Sequence, residues 1–244
     1  MSTAEILLLI ALTGMIFLYA RKNKRDLFHK LKQNNIISGS ILTEAQQKAL
    51  HPDTILSILK EGNQKFADGA ITVRNNSERI RHSSLGQHPL AVVLSCLDSR
   101  VPVEDVFQQG IGDIFVVRVA GNIVNEDILG SLEYACKVSG SKLILVLGHD
   151  YCGAIKSAVD NVKMGNITSL LAKISPAVAA SSDFEGQKNS SNPDYLHHVC
   201  TENVKLSVQN IKMYSPILNE MDAQGEIKIV GAVYDMETGI VHFN

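Results

Sequence analysis

The chain of 244 residues is 45% hydrophobic and 20% charged, with a formal net charge of −2. That suffices for one sizeable α/β domain and excludes a disordered, collagen-like or disulfide-scaffold protein. The four cysteines are too sparse for a disulfide framework and point to metal or catalytic use, and tryptophan is absent altogether.

Ile6 to Ala20 is an uncharged apolar run of 15 residues. As a helix it is about 22 Å long, short of a ~30 Å hydrocarbon core. Counting Ser2 to Ala4, with snorkelling basic side chains, makes spanning feasible. No Lys or Arg precedes the run and RKNKR follows it, the reverse of a secretory signal peptide. A retained membrane anchor is therefore expected, with the body on the cytoplasmic side. A cleaved signal with export, and a buried or partner-binding helix, are the alternatives. Residues 1–26 are read as this anchor with its basic flank, 27–41 as a polar linker, and 42–244 as one domain. Setting aside the six basic residues of 21–32 with Asp26 and Glu5 leaves 17 basic against 23 acidic residues, a charge of −6. That body has no basic face for nucleic acid.

Within the domain, Leu50 to Phe66 reads as a helix, with Ile55, Leu56, Leu59 and Phe66 on one side. The basic, Asn-rich stretch TVRNNSERIRH reads as a loop. Leu90–Cys96, Ile114–Arg118, Lys142–Gly148 and Ile227–Tyr234 are apolar runs of buried-strand length, and Ile240–Phe243 is a short fifth candidate. Asp127–Val138 and a segment from Ala154 to Val162 carry helical spacing. Residues 181–195 read as a polar loop and Thr201–Tyr214 as a helix. Strands apolar on both faces, alternating with helices, predict an α/β fold. Its sheet is mostly parallel, about four strands plus a short antiparallel edge strand, flanked by helices behind an N-terminal helical arm.

Two motifs stand at strand ends: Cys96-Leu97-Asp98-Ser99-Arg100 after the first strand, and Gly148-His149-Asp150-Tyr151-Cys152-Gly153 after the third. Open parallel sheets place their sites at such carboxyl ends. Cys152 opens a helix, whose N–H groups favour a thiolate. Two thiolates and an imidazole make a catalytic zinc set with one position left for water or a carboxylate, and Asp98, paired with Arg100, is near enough to supply one. Against this, a strand-terminal cysteine is commonly a small buried hydrophobe, H-x-x-C arises by chance, and Asp98–Arg100 alone could be a surface ion pair. The spacing leaves both accounts open.

CLDSR, FVVRVAGN and EYACKVSGSKLILVLGHDYCGA, in this order and spacing, resemble the signature of the β-class carbonic anhydrases, and the likeness runs from about Leu56 to the carboxyl terminus. The resemblance implies one Zn2+ per chain, held by Cys96, His149 and Cys152, and hydration of carbon dioxide to bicarbonate and a proton through zinc-bound hydroxide. It implies an Asp98–Arg100 catalytic dyad, a substrate-binding Gln87, pocket residues Phe115 and Tyr134, and Gly153 after the last ligand. It also implies a homodimer or dimer of dimers. Relatives that bind bicarbonate at a second site, switching the aspartate onto zinc, carry a tryptophan where this chain has Val93. Arg118 matches their other bicarbonate-binding arginine. Without the tryptophan, the open form is expected, with Asp98 a metal ligand only in a closed form. Rival readings are a carbon disulfide or carbonyl sulfide hydrolase on the same site, a non-catalytic zinc-binding interaction module, and a thiol enzyme using Cys152 and His149. Cys136 and Cys200 read as packing residues.

Overall fold

Continuous apolar runs make strands that must be covered on both faces, and this chain builds its centre from them. The structure, a computed structural model, describes residues 41–70 and 72–244. The apolar run 6–20, its basic flank and nearly all of the linker lie outside these residues. Among the described residues no helix is long and apolar enough to cross a membrane.

Strands β1 (Ala91–Ser95), β2 (Ile114–Arg118), β3 (Leu143–His149), β4 (Lys228–Tyr234) and β5 (Val241–Phe243) form one five-stranded sheet in the order β2-β1-β3-β4-β5. All pairings are parallel except β4 with β5. A turn from Asp235 to Gly239 reverses the chain there, the Gly239 N–H donating to the Asp235 carbonyl. The predicted class and strand set hold. The connection from β1 leads to one side of the sheet and that from β3 to the other. The topological switch point therefore lies between β1 and β3, and the crevice at their carboxyl ends is where such sheets place a site.

Side-chain alternation divides the core into two layers. Val92, Leu94, Ile144 and Val146 face one layer, and Ala91, Val93, Leu143, Leu145 and Leu147 the other, all fully buried. Helices α1 (Glu44–Ala49), α2 (Pro52–Ala67), α3 (Asn76–Ser83) and α4 (Val103–Val106) precede β2. Of these, α2 covers the second layer with Ile55 and Leu59, each burial contributing ~1.5–3 kcal/mol. It starts where the His51 side chain accepts the Asp53 N–H and Pro52 sets the first turn. At Gly62 it approaches the backbone so closely that a Cβ would stand 2.0 Å from the Phe107 carbonyl oxygen.

The first layer is covered by α5 (Glu126–Glu133), α6 (Gly153–Val159), α7 (Gly165–Leu171), α8 (Ser175–Ala180), α9 (Pro193–Tyr214) and α10 (Pro216–Ala223). After α5 the chain winds into a π-helical turn, Tyr134–Val138. Three segments differ from the sequence reading. The basic stretch expected as a loop contains α3, because the Asn75 side chain accepts the Glu78 N–H and caps it. Helices α7 and α8 have no counterpart in that reading. The helix expected from Thr201 begins eight residues earlier, at Pro193, where Asn192 accepts the Asp194 N–H.

Candidate metal centre

Cys96 follows β1 directly, His149 closes β3 and Cys152 is the N-cap of α6. Parallel pairing of β1 with β3 thus sets the two motifs side by side. One ligand atom from each of Cys96, His149 and Cys152 lies within 4.8 Å of the others, and all three residues are buried. Two sulfurs bound tetrahedrally at ~2.3 Å would stand about 3.8 Å apart, and the Cys96 and Cys152 Sγ atoms are 3.9 Å apart.

The imidazole is prepared for the same task. His149 Nδ1 lies 2.8 Å from the Asp150 carbonyl oxygen and 3.2 Å from Met236 Sδ. The carbonyl can only accept, so the proton resides on Nδ1 and Nε2 keeps its lone pair. Nε2 is buried and has no hydrogen-bond partner. Such an atom is costly unless something supplies what it lacks. A zinc ion bound by the three residues would do so.

The Cys152 thiol, together with the Gly121 N–H, favours the thiolate at Cys96 and holds its pKa below the usual thiol range, while the same contact and burial push Cys152 up. Gly121 donates to Cys96 Sγ at 3.3 Å from a left-handed backbone with φ of 68°. Burial raises Cys136 and Cys200 to about 12, so both stay thiols. Cys136 is a packing residue as expected. Cys200 does more, since its Sγ–H donates to the His149 carbonyl at 3.3 Å.

Asp98 lies beside this cluster. Its Oδ1 accepts from Arg100 Nε at 2.9 Å and from the Arg100 backbone N–H at 3.0 Å, while Oδ2 accepts from Nη2 at 2.8 Å. These bonds hold its pKa at about 2. Oδ2 stands 4.0 Å from His149 Nε2. Arg100 Nη2 also donates to the Tyr151 carbonyl at 3.2 Å, tying the dyad to the second motif. Arg118 donates to the Cys96 carbonyl at 3.0 Å and to the Asp98 carbonyl, so it clamps the loop carrying both residues.

The remaining expected residues fall elsewhere. Phe115 and Tyr134 share a groove of about 460 Å³ along β2, which among the described residues is an edge strand, and its lining contains none of the three cluster residues. Tyr134 is 56% exposed there. Gly153 is exposed in the first turn of α6, with open space where a Cβ would stand. Gln87 is exposed ahead of β1, at the amino end of the sheet, whereas the cluster is at the carboxyl end.

An open parallel sheet with a Cys–His–Cys set at its switch point and a carboxylate–guanidinium pair beside it has the donor set of a metalloenzyme. Comparison with known proteins makes the family specific. The sequence model of the carbonic anhydrase family matches residues 91–241. "Carbonic anhydrase 2" of Mycobacterium tuberculosis strain H37Rv is 35% identical over 198 residues, covering 78% of this chain and 91% of that protein. The carbonic anhydrase of Mycolicibacterium smegmatis is 36% identical over 198 residues, covering 78% and 92%. Among solved structures, the Coccomyxa β-carbonic anhydrase in complex with acetazolamide superposes with a TM-score of 0.62 at 29% identity, covering 77% of this chain and 85% of that one. The β-carbonic anhydrase CcaA gives 0.61 at 28% identity, covering 76% and 86%. The chain belongs to the β-class carbonic anhydrase family.

Proposed function

We propose that this protein hydrates carbon dioxide reversibly to bicarbonate and a proton, with zinc held by Cys96, His149 and Cys152. The observation that carries the reading is the convergence of those three donors, with the His149 Nε2 lone pair unused, next to an ionised Asp98. Bound there, zinc supplies a nucleophile at neutral pH by lowering the pKa of water to about 7.

The chain's own residues do the rest. Arg100 occupies Oδ1 of Asp98 twice and Oδ2 once, so one acceptor site on Oδ2 stays free on the side nearest His149. That oxygen accepts the hydrogen of the reacting water and turns the water's lone pair toward carbon dioxide. Held by Arg100, Asp98 stays outside the ligand set, which corresponds to the open form. Arg118, by gripping the loop carbonyls, keeps Cys96 and Asp98 in register. Gln87 can donate an amide N–H to the substrate oxygen where charge develops. Its position at the amino end of β1 means that it reaches a metal centre by serving the site of a second copy. The edge of β2, unpaired among the described residues and with Phe115 and Tyr134 beside it, is the surface suited to that association. We therefore infer a dimer as the catalytic unit.

The test is zinc content together with carbon dioxide hydration rate for the wild type and Cys152→Ser. One zinc per chain with fast hydration, both lost in the variant, supports the reading. Activity that survives removal of the metal overturns it. Sulfide release from carbon disulfide in place of hydration would replace the substrate.

A further inference from the structure

The long helix α9 carries a polar stripe on the face turned toward the metal centre. His197, Cys200, Asn203 and Ser207 follow at helical spacing; the first two reach the segment that carries His149 and Cys152, and the last two reach the Gly121–Asn122 turn beside Cys96. His197 Nδ1 lies 2.6 Å from Asp150 Oδ1, and the Cys200 thiol donates to the His149 carbonyl. Asn203 Nδ2 donates to the Gly121 carbonyl at 2.9 Å, and Ser207 Oγ donates to the Asn122 carbonyl at 3.0 Å. Cys200, Asn203 and Ser207 are buried. The helix is a firm base, since it meets the sheet where side chains are missing: a Cβ on Gly148 would stand 2.6 Å from Val204 Cγ2, and one on Gly231 2.6 Å from Val204 Cγ1.

The Asn203 bond has a specific consequence. Gly121 and Asn122 are consecutive residues with positive φ, 68° and 42°, a turn that glycine and asparagine can adopt and that the bonds from Asn203 and Ser207 hold in place. The N–H of Gly121, in the peptide that precedes it, points at Cys96 Sγ. We propose that Asn203 is a positioning residue of the metal centre: by anchoring the Gly121 carbonyl it fixes the backbone turn at that glycine, so that the N–H on the other side of its Cα stays on the Cys96 sulfur. This inference rests on the zinc reading above. A hydrogen bond to a thiolate draws charge from the sulfur, and in a buried site that helps set how strongly the sulfur donates to a metal and where it sits. Without Asn203 the backbone is free to turn about the Gly121 Cα, the N–H leaves the sulfur, and the Cys96 sulfur becomes both more electron-rich and less firmly placed.

The experiment compares full-length wild type, Asn203→Leu and Leu59→Ala. Leu59 lies in the core layer on the opposite face of the sheet, so its truncation lowers stability without touching the site. Zinc affinity is measured by chelator competition at neutral pH, and the thiolate-to-cobalt charge-transfer band is recorded after cobalt(II) substitution. Asn203→Leu is expected to bind zinc about tenfold or more weakly and to move the band to lower energy. Leu59→Ala keeps both at wild-type values. An Asn203→Leu protein with wild-type affinity and band overturns the proposal. If that variant does not fold, Asn203→Ser, too short to reach Gly121, is measured in the same way, and wild-type affinity and band in it likewise overturn the proposal. A wild type that retains no zinc overturns the functional reading instead, so the two failures are distinguishable.

Discussion

Arg100 binds Asp98 through both carboxylate oxygens, with its side chain and its own backbone N–H, and this makes the aspartate an oriented acceptor rather than a free charge. Asp98→Asn keeps the shape but presents an amide that cannot accept the whole fork. It is expected to lower kcat by about 10²–10⁴-fold while retaining zinc. Arg100→Lys offers a point charge without the fork, so it should lower kcat in the same direction. Steady-state hydration with metal analysis of each variant checks both outcomes.

The Arg100 hydrogen bonds depress the Asp98 pKa from 3.8 to about 2. A carboxylate with a lowered folded pKa contributes stability that is fully present above its unfolded value and is lost as pH falls through the folded one. Metal-free wild type should therefore exceed Asp98→Asn in stability by a constant margin above about pH 5, and that margin should shrink between 3.8 and about 2. Urea unfolding at several pH values measures it. A margin independent of pH would contradict the pairing.

Gln87 and the three metal donors lie at opposite ends of β1, which permits complementation. Gln87→Leu and Cys152→Ser should each be nearly inactive alone. Mixed in equal amounts and allowed to exchange subunits, they should recover about a quarter of wild-type activity, from the one competent site in each two-fold hybrid. Continued inactivity after demonstrated exchange would place Gln87 outside the site.

Arg79, whose side chain is fully buried, pairs with Asp113, and the Gly110 N–H donates to the same carboxylate at 2.7 Å. Asp113→Ala removes the carboxylate from a buried charge pair, leaving Arg79 its bonds to the Ile111 carbonyl, and should cost about 3–5 kcal/mol in chemical unfolding. Zinc affinity should be unchanged, because this cluster lies at the amino end of the sheet.

The strands and the metal donors were legible because their signals are local. β1 and β3 are buried along their whole length, so their sequences read as unbroken apolar runs, and Cys96 and His149 sit at the ends of those runs. What escaped depends on partners distant in sequence. Cys200 passes for packing until α9 is seen to begin at Pro193, which brings its thiol to the His149 carbonyl. The Asn192-Pro193-Asp194 cap was the available signal, hidden in a polar stretch that reads as one loop. Gly121 carries no mark of its left-handed backbone, which follows from Asn203, Cys96 and the nearby Ile174 side chain, 2.6 Å from where a Cβ would stand. Gln87 sits in an exposed loop ahead of β1 and carries no local signal of its own.

In the π-helical turn after α5 the Ser139 N–H reaches the Tyr134 carbonyl, five residues back, where an α-helix would reach four. The turn thus stores one surplus residue. Losing it would restore a regular helix yet rotate whatever lies on one side of the cut by about 100° relative to the other. Tyr134 in the groove wall and Cys136 in the core would then no longer face as they do, while the metal donors, held by β1, β3 and α9, would keep their places. A one-residue change of length at this turn therefore offers evolution a way to reshape the wall along β2 while leaving the metal chemistry intact.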